Sequence, residues 1–361
     1  MKVKYRIDGL RVGDIVTMPF LVTSHAMKRS RDGVDYLNLT LADRTGTLEG
    51  RVWTDAHSLA QRCAVDDFVA VRGEVESYGD RLSLTIHDLE RLADDEVDLT
   101  DFFPHSRWSA DAMFRQLLDL VEEHVISPPL RAFLDAVFAD EHLVARFKQA
   151  PAAMRNHHAY RGGLLEHCLS MSRLAVAVSQ HYAAYYPGMI QRDLVVAGCI
   201  LHDLAKCDEL DFRRSVRYST AGRLIGHIPL GSEWVSQYAR QAAIPVPDDL
   251  VMELKHLVLS HHGKHEYGSP VVPQTPEAHV LHHIDMMDSR INAFGTLRPT
   301  GEHREYWTEF QRSLEAPLYF RGGVGWIDHD TLREEDLLGP GLAAKPAPES
   351  PVNLDLFGKK P

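Results

Sequence analysis

The sequence predicts a multidomain protein in which a small β domain precedes an all-α helical bundle. Three observations support this fold class. Apolar residues alternate with polar ones through about the first 95 positions, apolar residues recur at three- and four-residue spacing after about residue 107, and no parallel βαβ pattern appears there. A length of 361 residues suits two or three domains, and 44% hydrophobic residues are enough for a sizeable core.

The first part of the chain, residues 1–95, has the period-two pattern of half-buried strands. Leu37, Leu39 and Leu41 alternate with polar neighbours, and residues 43–46 have turn-forming composition. About five short runs of this kind follow one another closely. They predict a small barrel or sandwich.

Composition changes twice more along the chain. Residues 96–106 are acidic at first and then broken by proline, which predicts a linker. Helical spacing continues through residues 107–315, the expected bundle. Residues 316–361 form a C-terminal extension that turns rich in Pro, Ala and Gly at about residue 339, and we expect that last part to be disordered.

Composition also excludes several classes of protein. Lys and Arg number 39 against 51 Asp and Glu, and the formal net charge of −12 argues against coating nucleic acid by bulk charge. No run approaches the roughly 18 apolar residues of a membrane helix, and the N-terminus lacks the apolar segment of a secretory signal. Four cysteines without a CxxC pair favour reduced thiols. We therefore expect a cytoplasmic protein with no membrane partner.

Histidines are concentrated in the expected bundle. The chain has 21, of which 13 lie in residues 151–290, and histidine is the commonest metal ligand. The adjacent pair His202 and Asp203 ends an apolar helix, where burial is costly unless something binds the pair. Because a bundle can bring side chains from several helices to one interior point, a metal centre is predicted. The other candidate ligands lie on separate predicted helices or helix ends: His167, His227, His261, His262 and Asp285.

This ligand set indicates a chemistry. Imidazoles and carboxylates suit Mn, Fe, Zn or Mg-like ions without any thiolate. Asp203 has two oxygens and can bridge two ions, which together can activate water for phosphate-ester hydrolysis. Lys206 follows three residues later on the same helical face, where its ammonium would hold a phosphate oxygen.

The same residues resemble a known enzyme class. His167, the 202–203 pair and Asp285 resemble the H…HD…D signature of the HD-domain metal-dependent phosphohydrolases. The histidines at 227 and 261–262 resemble the subset of that class that binds two metals. A single HD dipeptide would indicate very little, but the combined set is specific.

The resemblance is closer still to the YhaM-type 3′-5′ exoribonucleases. That family also carries an N-terminal OB-fold, so the resemblance covers roughly residues 1–315. It implies a metal-dependent 3′-5′ exonuclease that hydrolyses single-stranded RNA to nucleoside 5′-monophosphates through metal-activated water, with DNA left open as a further substrate. The segments that carry it are residues 156–167, 200–206, 222–228, 257–263 and 268–278.

Family resemblance also implies roles for individual residues. Two divalent ions per chain are expected, Mn²⁺ first, with Fe, Zn, Co or Mg as alternatives. The ligands of one ion would be His167, His202, Asp203 and Asp285; those of the other would be Asp203, His227 and His261, with His262 as an alternative or outer partner. Lys206 would contact the scissile phosphate, and further substrate contacts would come from His157, His158, Arg161 and Arg223.

The β domain resembles OB-folds that bind tRNA or single-stranded nucleic acid, through residues 39–53. Such folds combine a basic groove with aromatic stacking platforms. Trp53 is equally consistent with a core position, and an OB-fold can also be a structural or protein-binding module. The candidate contacts to the strand are Lys28, Arg29, Arg31, Tyr36 and Trp53.

A short apolar segment near the C-terminus resembles the pentapeptide by which bacterial proteins bind the replication sliding clamp. The alternative is that it packs on its own chain. Its residues are Asn353, which replaces the usual glutamine, and Leu354, Asp355, Leu356 and Phe357.

Two rival functions stay open at this point. One is hydrolysis of a small nucleotide by an HD-type phosphohydrolase, which the OB-like domain argues against. The other is a non-catalytic nucleic-acid-binding adaptor with a purely structural bundle. Oligomerisation is also left open by the sequence.

Overall fold

The computed structural model describes residues 6–78, 81–154, 157–212, 214, 216–296, 306–312 and 314–320. Its first part contains five strands and one short helix: β1 Ile15–Arg29, β2 Asp35–Asp43, β3 Gly46–Val52, α1 Ala56–Ala60, β4 Phe68–Tyr78 and β5 Arg81–Leu92. The strands close into a barrel in the order β1-β2-β3-β5-β4. Only the β3–β5 pairing is parallel among these described strands. The predicted barrel is confirmed, and the sandwich alternative is wrong.

Alternation along the strands fills the barrel interior. Leu37, Leu39 and Leu41 are fully buried, as their period-two spacing predicted. The pairing of β4 with β5 changes register between Arg72 and Gly73, where His87 is the extra residue of a bulge in β5. A Cβ atom at Gly73 would lie 2.4 Å from the carbonyl oxygen of Thr85, so only glycine fits this close approach.

The predicted linker is packed against the barrel. Phe102 is buried, with its ring centroid 4.7 Å from that of Phe68. Ser106 then donates a backbone hydrogen bond to the carbonyl of Arg161 at 2.8 Å, and Arg161 donates one back to Pro104 at 2.9 Å. These contacts join the barrel to the bundle through an ordered connector.

The bundle is helical apart from one short hairpin, which confirms the all-α prediction in outline. Its elements are α2 Ala110–His124, α3 Pro128–Phe138, α4 Glu141–Phe147, α5 Gly163–Tyr185, α6 Arg192–Leu201, α7 Lys206–Glu209, β6 Leu210–Asp211, β7 Arg217–Tyr218, α8 Thr220–Leu224, α9 His227–Gln241, α10 Asp248–Ser260 and α11 Pro276–Thr296. Helix α6 is buried at every position of residues 194–201. A helix that is apolar all round belongs at the centre of a bundle, so its C-terminal end lies in the interior.

The hairpin of β6 and β7 contacts the barrel through arginines. Arg214 donates to the Asp66 carbonyl and lies 2.6 Å from a carboxylate oxygen of Asp94. Arg217 lies 3.1 Å from the Asp66 carboxylate. An acidic edge of the barrel therefore faces basic side chains from the bundle.

The C-terminal predictions mostly lie outside the described residues. Residues 321–361, which include the segment predicted to be disordered and the clamp-like pentapeptide 353–357, are not among them. Before that point, the bridges Trp307↔Tyr319 and Gln311↔Ala316 form a short turn-back. Of the helices described, none is both long and apolar enough to cross a membrane.

Candidate metal centre

Asp203 lies immediately beyond the buried helix α6 and is only 2% exposed. Its two carboxylate oxygens face different pairs of histidines. Oδ1 lies 3.3 Å from Nε2 of His227 and 3.5 Å from Nε2 of His261. Oδ2 lies 3.4 Å from Nε2 of His202 and 4.0 Å from Nε2 of His167. One carboxylate thus connects two neighbouring histidine pairs.

The sixth predicted ligand joins the same centre from α11. Asp285 places Oδ1 3.4 Å from Nε2 of His167, on the side of the centre that His202 also faces. Helices α5, α6, α9 and α11, with the end of α10, supply this set. The structure therefore brings together all six residues that the sequence singled out as ligands.

The facing atoms of this centre have no protein partner. In the described part of the chain, these buried atoms lack a hydrogen bond: Nε2 of His167, His202, His227 and His261, and Oδ1 of Asp203. Leaving a buried polar atom unsatisfied costs about 1–3 kcal/mol, so five such atoms around one point are expected where a ligand binds. Imidazole nitrogen with carboxylate oxygen is a donor set for first-row divalent ions. The residues present fit a divalent metal.

Two of the four histidines are oriented by backbone carbonyls one turn earlier. Nδ1 of His202 donates to the carbonyl of Cys199 at 3.1 Å, and Nδ1 of His261 donates to that of Val258 at 2.7 Å. Each bond assigns the ring proton to Nδ1 and leaves Nε2 as the free ligand atom.

The other two histidines are oriented by carboxylates that sequence reasoning missed. Nδ1 of His167 donates to Asp288 at 2.8 Å, and Nδ1 of His227 donates to Glu209 at 2.8 Å. Asp288 follows the predicted ligand Asp285 by three residues on α11, so helical spacing from that residue was the available signal. Such outer carboxylates fix the ring and make the imidazole a better donor to metal.

The electrostatics of the centre favour positive charge. Burial alone would raise the pKa of Asp203, but Lys206 and His202 outweigh it and hold that pKa well below the usual range. Burial would likewise lower the pKa of His167, but the neighbouring carboxylates of Asp285 and Asp288 raise it to about 10. The centre therefore stabilises a proton where a cation would bind.

Lys206 lies inside the centre. Its Nζ donates to Oδ2 of Asp203 at 2.6 Å, and its side chain is almost buried. The Asp203 carboxylate raises the Lys206 pKa against the lowering effect of burial, so the ammonium stays charged. A positive charge is thus fixed at the oxygen that His167 and His202 also approach.

His262 belongs to the His227 side of the centre. Its ring centroid lies 4.4 Å from that of His261 and 5.3 Å from that of His227. Nδ1 donates to the carbonyl of Tyr267 at 2.8 Å, which leaves Nε2 free. Burial, with the neighbouring His261, lowers the His262 pKa to about 4, so the ring is neutral and able to bind metal.

The two histidines predicted as substrate contacts have different environments. His157 lies beside the centre, with its ring centroid 5.8 Å from that of His167, and burial lowers its pKa to about 4. His158 uses both ring nitrogens: Nε2 bonds to Asp288 at 2.9 Å and Nδ1 to the Tyr160 hydroxyl at 2.9 Å. The ring of His158 is therefore occupied in holding the carboxylate that orients His167.

The two predicted arginine contacts also differ. The Arg161 guanidinium lies 4.8 Å from the ring centroid of Phe103 and donates to the carbonyl of Phe212 at 3.2 Å. It stabilises the junction of connector and bundle. Arg223 is exposed on α8, four residues before His227 in the chain.

On the barrel, the structure brings two predicted aromatic residues together. Tyr36 and Trp53 stack with ring centroids 4.6 Å apart and an interplanar angle of 28°. Trp53 is 42% exposed, which excludes the core position considered above. Arg29 is paired with Asp35 at 2.8 Å, and Lys28 and Arg31 are exposed on the same strand-loop region.

Comparison with known proteins places both halves of the chain. The HD domain family matches residues 164–290, and the family described as OB-fold nucleic acid binding domain matches residues 22–92. A 3′-5′ exoribonuclease YhaM from Listeria welshimeri is 36% identical over 291 residues, covering 80% of this chain and 89% of that protein. The protein of the same name from Bacillus subtilis is 32% identical over 313 residues, covering 86% and 96%. This chain belongs to the YhaM family of 3′-5′ exoribonucleases.

Proposed function

We propose that this protein is a metal-dependent 3′-5′ exonuclease that hydrolyses single-stranded RNA to nucleoside 5′-monophosphates at the centre around Asp203. The observation that carries the proposal is the convergence of four unpartnered Nε2 atoms on the two oxygens of that carboxylate. Membership of the family supports the direction of cleavage and the RNA substrate. An adaptor would have no need for buried polar atoms left without partners.

Two ions per chain, with Mn²⁺ preferred, account best for the ligand set. The mixture of imidazole and carboxylate without thiolate suits first-row divalent ions, of which Mn²⁺ is one. Two divalent ions would activate water and neutralise charge at both reacting oxygens of the phosphodiester. The first ion would be held by His167, His202, Asp203 and Asp285, and the second by Asp203, His227 and His261, with His262 as the alternative.

The protein's own groups would hold the scissile phosphate. Lys206, already fixed on Asp203 at 2.6 Å, would share its ammonium with a phosphate oxygen and oppose the charge that develops there. His157 is neutral at pH 7 and would donate or accept a hydrogen bond at the sugar or phosphate. Arg223 would attract the strand at the edge of the centre. We assign His158 and Arg161 to positioning, because both are engaged within the protein.

The barrel would hold the strand upstream of its 3′ end. The stacked Tyr36 and Trp53 offer a platform for bases, which stack on aromatic rings regardless of sequence. Lys28, Arg29 and Arg31 supply a local basic patch on an otherwise acidic protein. Four free cysteines fit a location in the cytoplasm, where single-stranded RNA is available.

The direct test uses a single-stranded RNA labelled at either end. With Mn²⁺, we expect the 5′-labelled strand to give a ladder that shortens from the 3′ end, and the 3′-labelled strand to release labelled mononucleotide at once. EDTA is expected to stop both reactions. A strand that stays intact while small nucleotides are hydrolysed would contradict the exonuclease and favour the rival phosphohydrolase. Absence of any bound metal would favour the adaptor.

A substitution on the barrel tests the proposed platform. Trp53→Ala is expected to raise the KM for a 20-nucleotide strand about tenfold, because one base-stacking contact contributes roughly 1–3 kcal/mol. Trp53→Phe retains an aromatic face and is expected to keep most of the affinity. A trinucleotide serves as the internal control, because a strand bound at the centre alone should show no change in KM. Equal KM values for both variants and the wild type would show that the proposed platform does not bind the strand.

A further inference from the structure

One loop beside the metal centre carries exposed groups that the proposed chemistry does not use. Helix α10 ends at Ser260, and a 3-10 turn follows at His265–Tyr267. Tyr267 is 55% exposed, although it is a large aromatic residue next to a buried cluster. Nζ of Lys264 lies 5.5 Å from the centroid of the Tyr267 ring. An aromatic face with an adjacent cation is therefore presented to solvent.

Hydrogen bonds fix the conformation of this loop. Ser269 is 3% exposed, and its hydroxyl oxygen lies within hydrogen-bond distance of two carbonyl oxygens, those of Leu259 at 3.1 Å and Val271 at 2.8 Å. The backbone N–H groups of Tyr267 and Ser269 both donate to the carbonyl of Lys264. The ring is thus carried on a fixed turn, and little conformational entropy would be lost when a ligand packs on it.

A glycine holds the start of the loop close to α11. Gly263 has φ +81°, and a Cβ atom there would lie 2.2 Å from the ring of His282. Both the positive φ and the close contact require glycine. Packing on α11, the helix that also carries Asp285, therefore fixes the direction of the turn that follows.

The loop is also bonded to the centre itself. Nδ1 of His262 donates to the carbonyl oxygen of Tyr267 at 2.8 Å. The ring of His262 contacts those of His261 and His227, both of which face Asp203. Only one residue therefore separates the exposed tyrosine from the metal-binding histidines.

We propose that Tyr267 and Lys264 form a nucleotide subsite in which the ring stacks on a base at the 3′ end of the strand and the ammonium contacts a flanking phosphate. This inference rests on the proposed function, since it assumes a nucleic-acid strand at the centre. Glu266 lies in the same turn, so the loop offers no net positive charge and stacking supplies most of the binding. A free phosphate or small anion would gain nothing from the ring. The occupant is therefore a nucleotide within a strand.

The test is fluorescence of strands that carry 2-aminopurine at the last or the second-last position, because stacking quenches this base. The protein is loaded with Mn²⁺, and phosphorothioates replace the last three linkages to slow cleavage. Wild type and Tyr267→Phe are expected to quench at one of the two positions, whereas Tyr267→Ala loses that quenching. Tyr185→Ala is the matched control, because Tyr185 is another tyrosine of the bundle outside the centre and is 68% exposed, somewhat more than Tyr267.

Kinetic measurements distinguish an effect on this subsite from an effect on folding or on metal binding. Tyr267→Ala is expected to raise KM for the unmodified strand about tenfold, with the Mn²⁺ dissociation constant and melting temperature unchanged. Lys264→Ala is expected to raise KM two- to threefold at low salt and less at high salt. These shifts would support the subsite, since a merely structural tyrosine would change melting temperature instead.

Each remaining outcome bears on one proposal or the other. Quenching that is the same in Tyr267→Ala and wild type, or absent at both positions in wild type, overturns the subsite even if the strand is degraded from its 3′ end. Tyr267-dependent quenching in a protein that never shortens a labelled strand would support the subsite and contradict the exonuclease. If Tyr267→Ala instead loses binding of a partner protein while its affinity for the strand stays unchanged, the nucleotide assignment would also be overturned.

Discussion

Asp203→Asn is expected to lower kcat at least about a thousandfold. Its carboxylate is the only group among the described residues that faces both histidine pairs, with Oδ1 on the His227 side and Oδ2 on the His202 side. An amide retains one acceptor oxygen but puts an NH₂ group toward the atoms that would hold a cation. A loss of about 4 kcal/mol of transition-state stabilisation corresponds to a thousandfold in rate. Binding of both ions would weaken, because Asp203 is shared.

The measurement combines kcat on labelled RNA with calorimetric titration of Mn²⁺ and a melting curve. Asparagine has the shape of aspartate, so the variant is expected to fold, with a lower melting temperature because Lys206 loses its charged partner. Asp193→Asn at the opposite end of α6 is the matched control. Asp193 accepts from the backbone N–H groups of Ile126 at 2.7 Å and Ser127 at 2.8 Å, so its loss should reduce stability and leave kcat unchanged. Near-normal kcat in Asp203→Asn would contradict the proposed centre.

The sequence was sufficient to single out the residues that meet around Asp203, because each lies in a short motif with a chemistry of its own. His202 and Asp203 are adjacent at the end of an apolar helix, and the doublet His261 and His262 ends another. Burial of such groups is costly without a ligand, so their position in an apolar pattern carries information. The groups that orient them carry no such signal. Glu209 is a single acidic residue in a chain that has 51 Asp and Glu, and only the fold shows it bonded to His227.

The sequence did not determine which hydrogen-bond partner each histidine takes. His158 adjoins His157 in the chain, and the two were predicted to share a role, yet His158 turns toward Asp288 on α11 while His157 lies beside the centre. This contact spans 130 residues of chain and depends on how the turn before α5 packs on α11. No local pattern encodes that packing.

The fold shows the same division between local pattern and long-range pairing. Period-two alternation at Leu37, Leu39 and Leu41 predicted strands with one buried face, and they are buried. It did not distinguish a barrel from a sandwich, because closure depends on the parallel pairing of β3 with β5, which brings Glu49 opposite Ser83. The contact of Arg214 in the bundle with Asp94 at the acidic edge of the barrel is likewise long-range. Domain contents were therefore predictable, whereas the contact between domains was not.

Asp288→Asn is expected to weaken Mn²⁺ binding about 10- to 100-fold, the usual consequence of losing an outer carboxylate. Asp288 accepts hydrogen bonds from His167 and His158, each within 3.0 Å, and also from the hydroxyl of Ser170. Burial alone would raise its pKa, but the bonds from the two histidines hold that pKa far below the usual range, so the native group is an anion. Asparagine keeps the shape and removes the charge, and its NH₂ group would oppose one of the ring N–H donors.

Activity measured against Mn²⁺ concentration distinguishes positioning from catalysis. If Asp288 acts by holding His167, the variant should need about 10 to 100 times more Mn²⁺ for half-maximal rate, and kcat should recover most of its normal value at saturation. Ser170→Ala removes a hydroxyl from the same carboxylate but leaves both histidine bonds, so only a small shift is expected. An unchanged Mn²⁺ requirement in Asp288→Asn would show that His167 is held by packing on α5 alone. A kcat that stays low at saturating Mn²⁺ would instead show that the charge of Asp288 acts on the reacting phosphate directly.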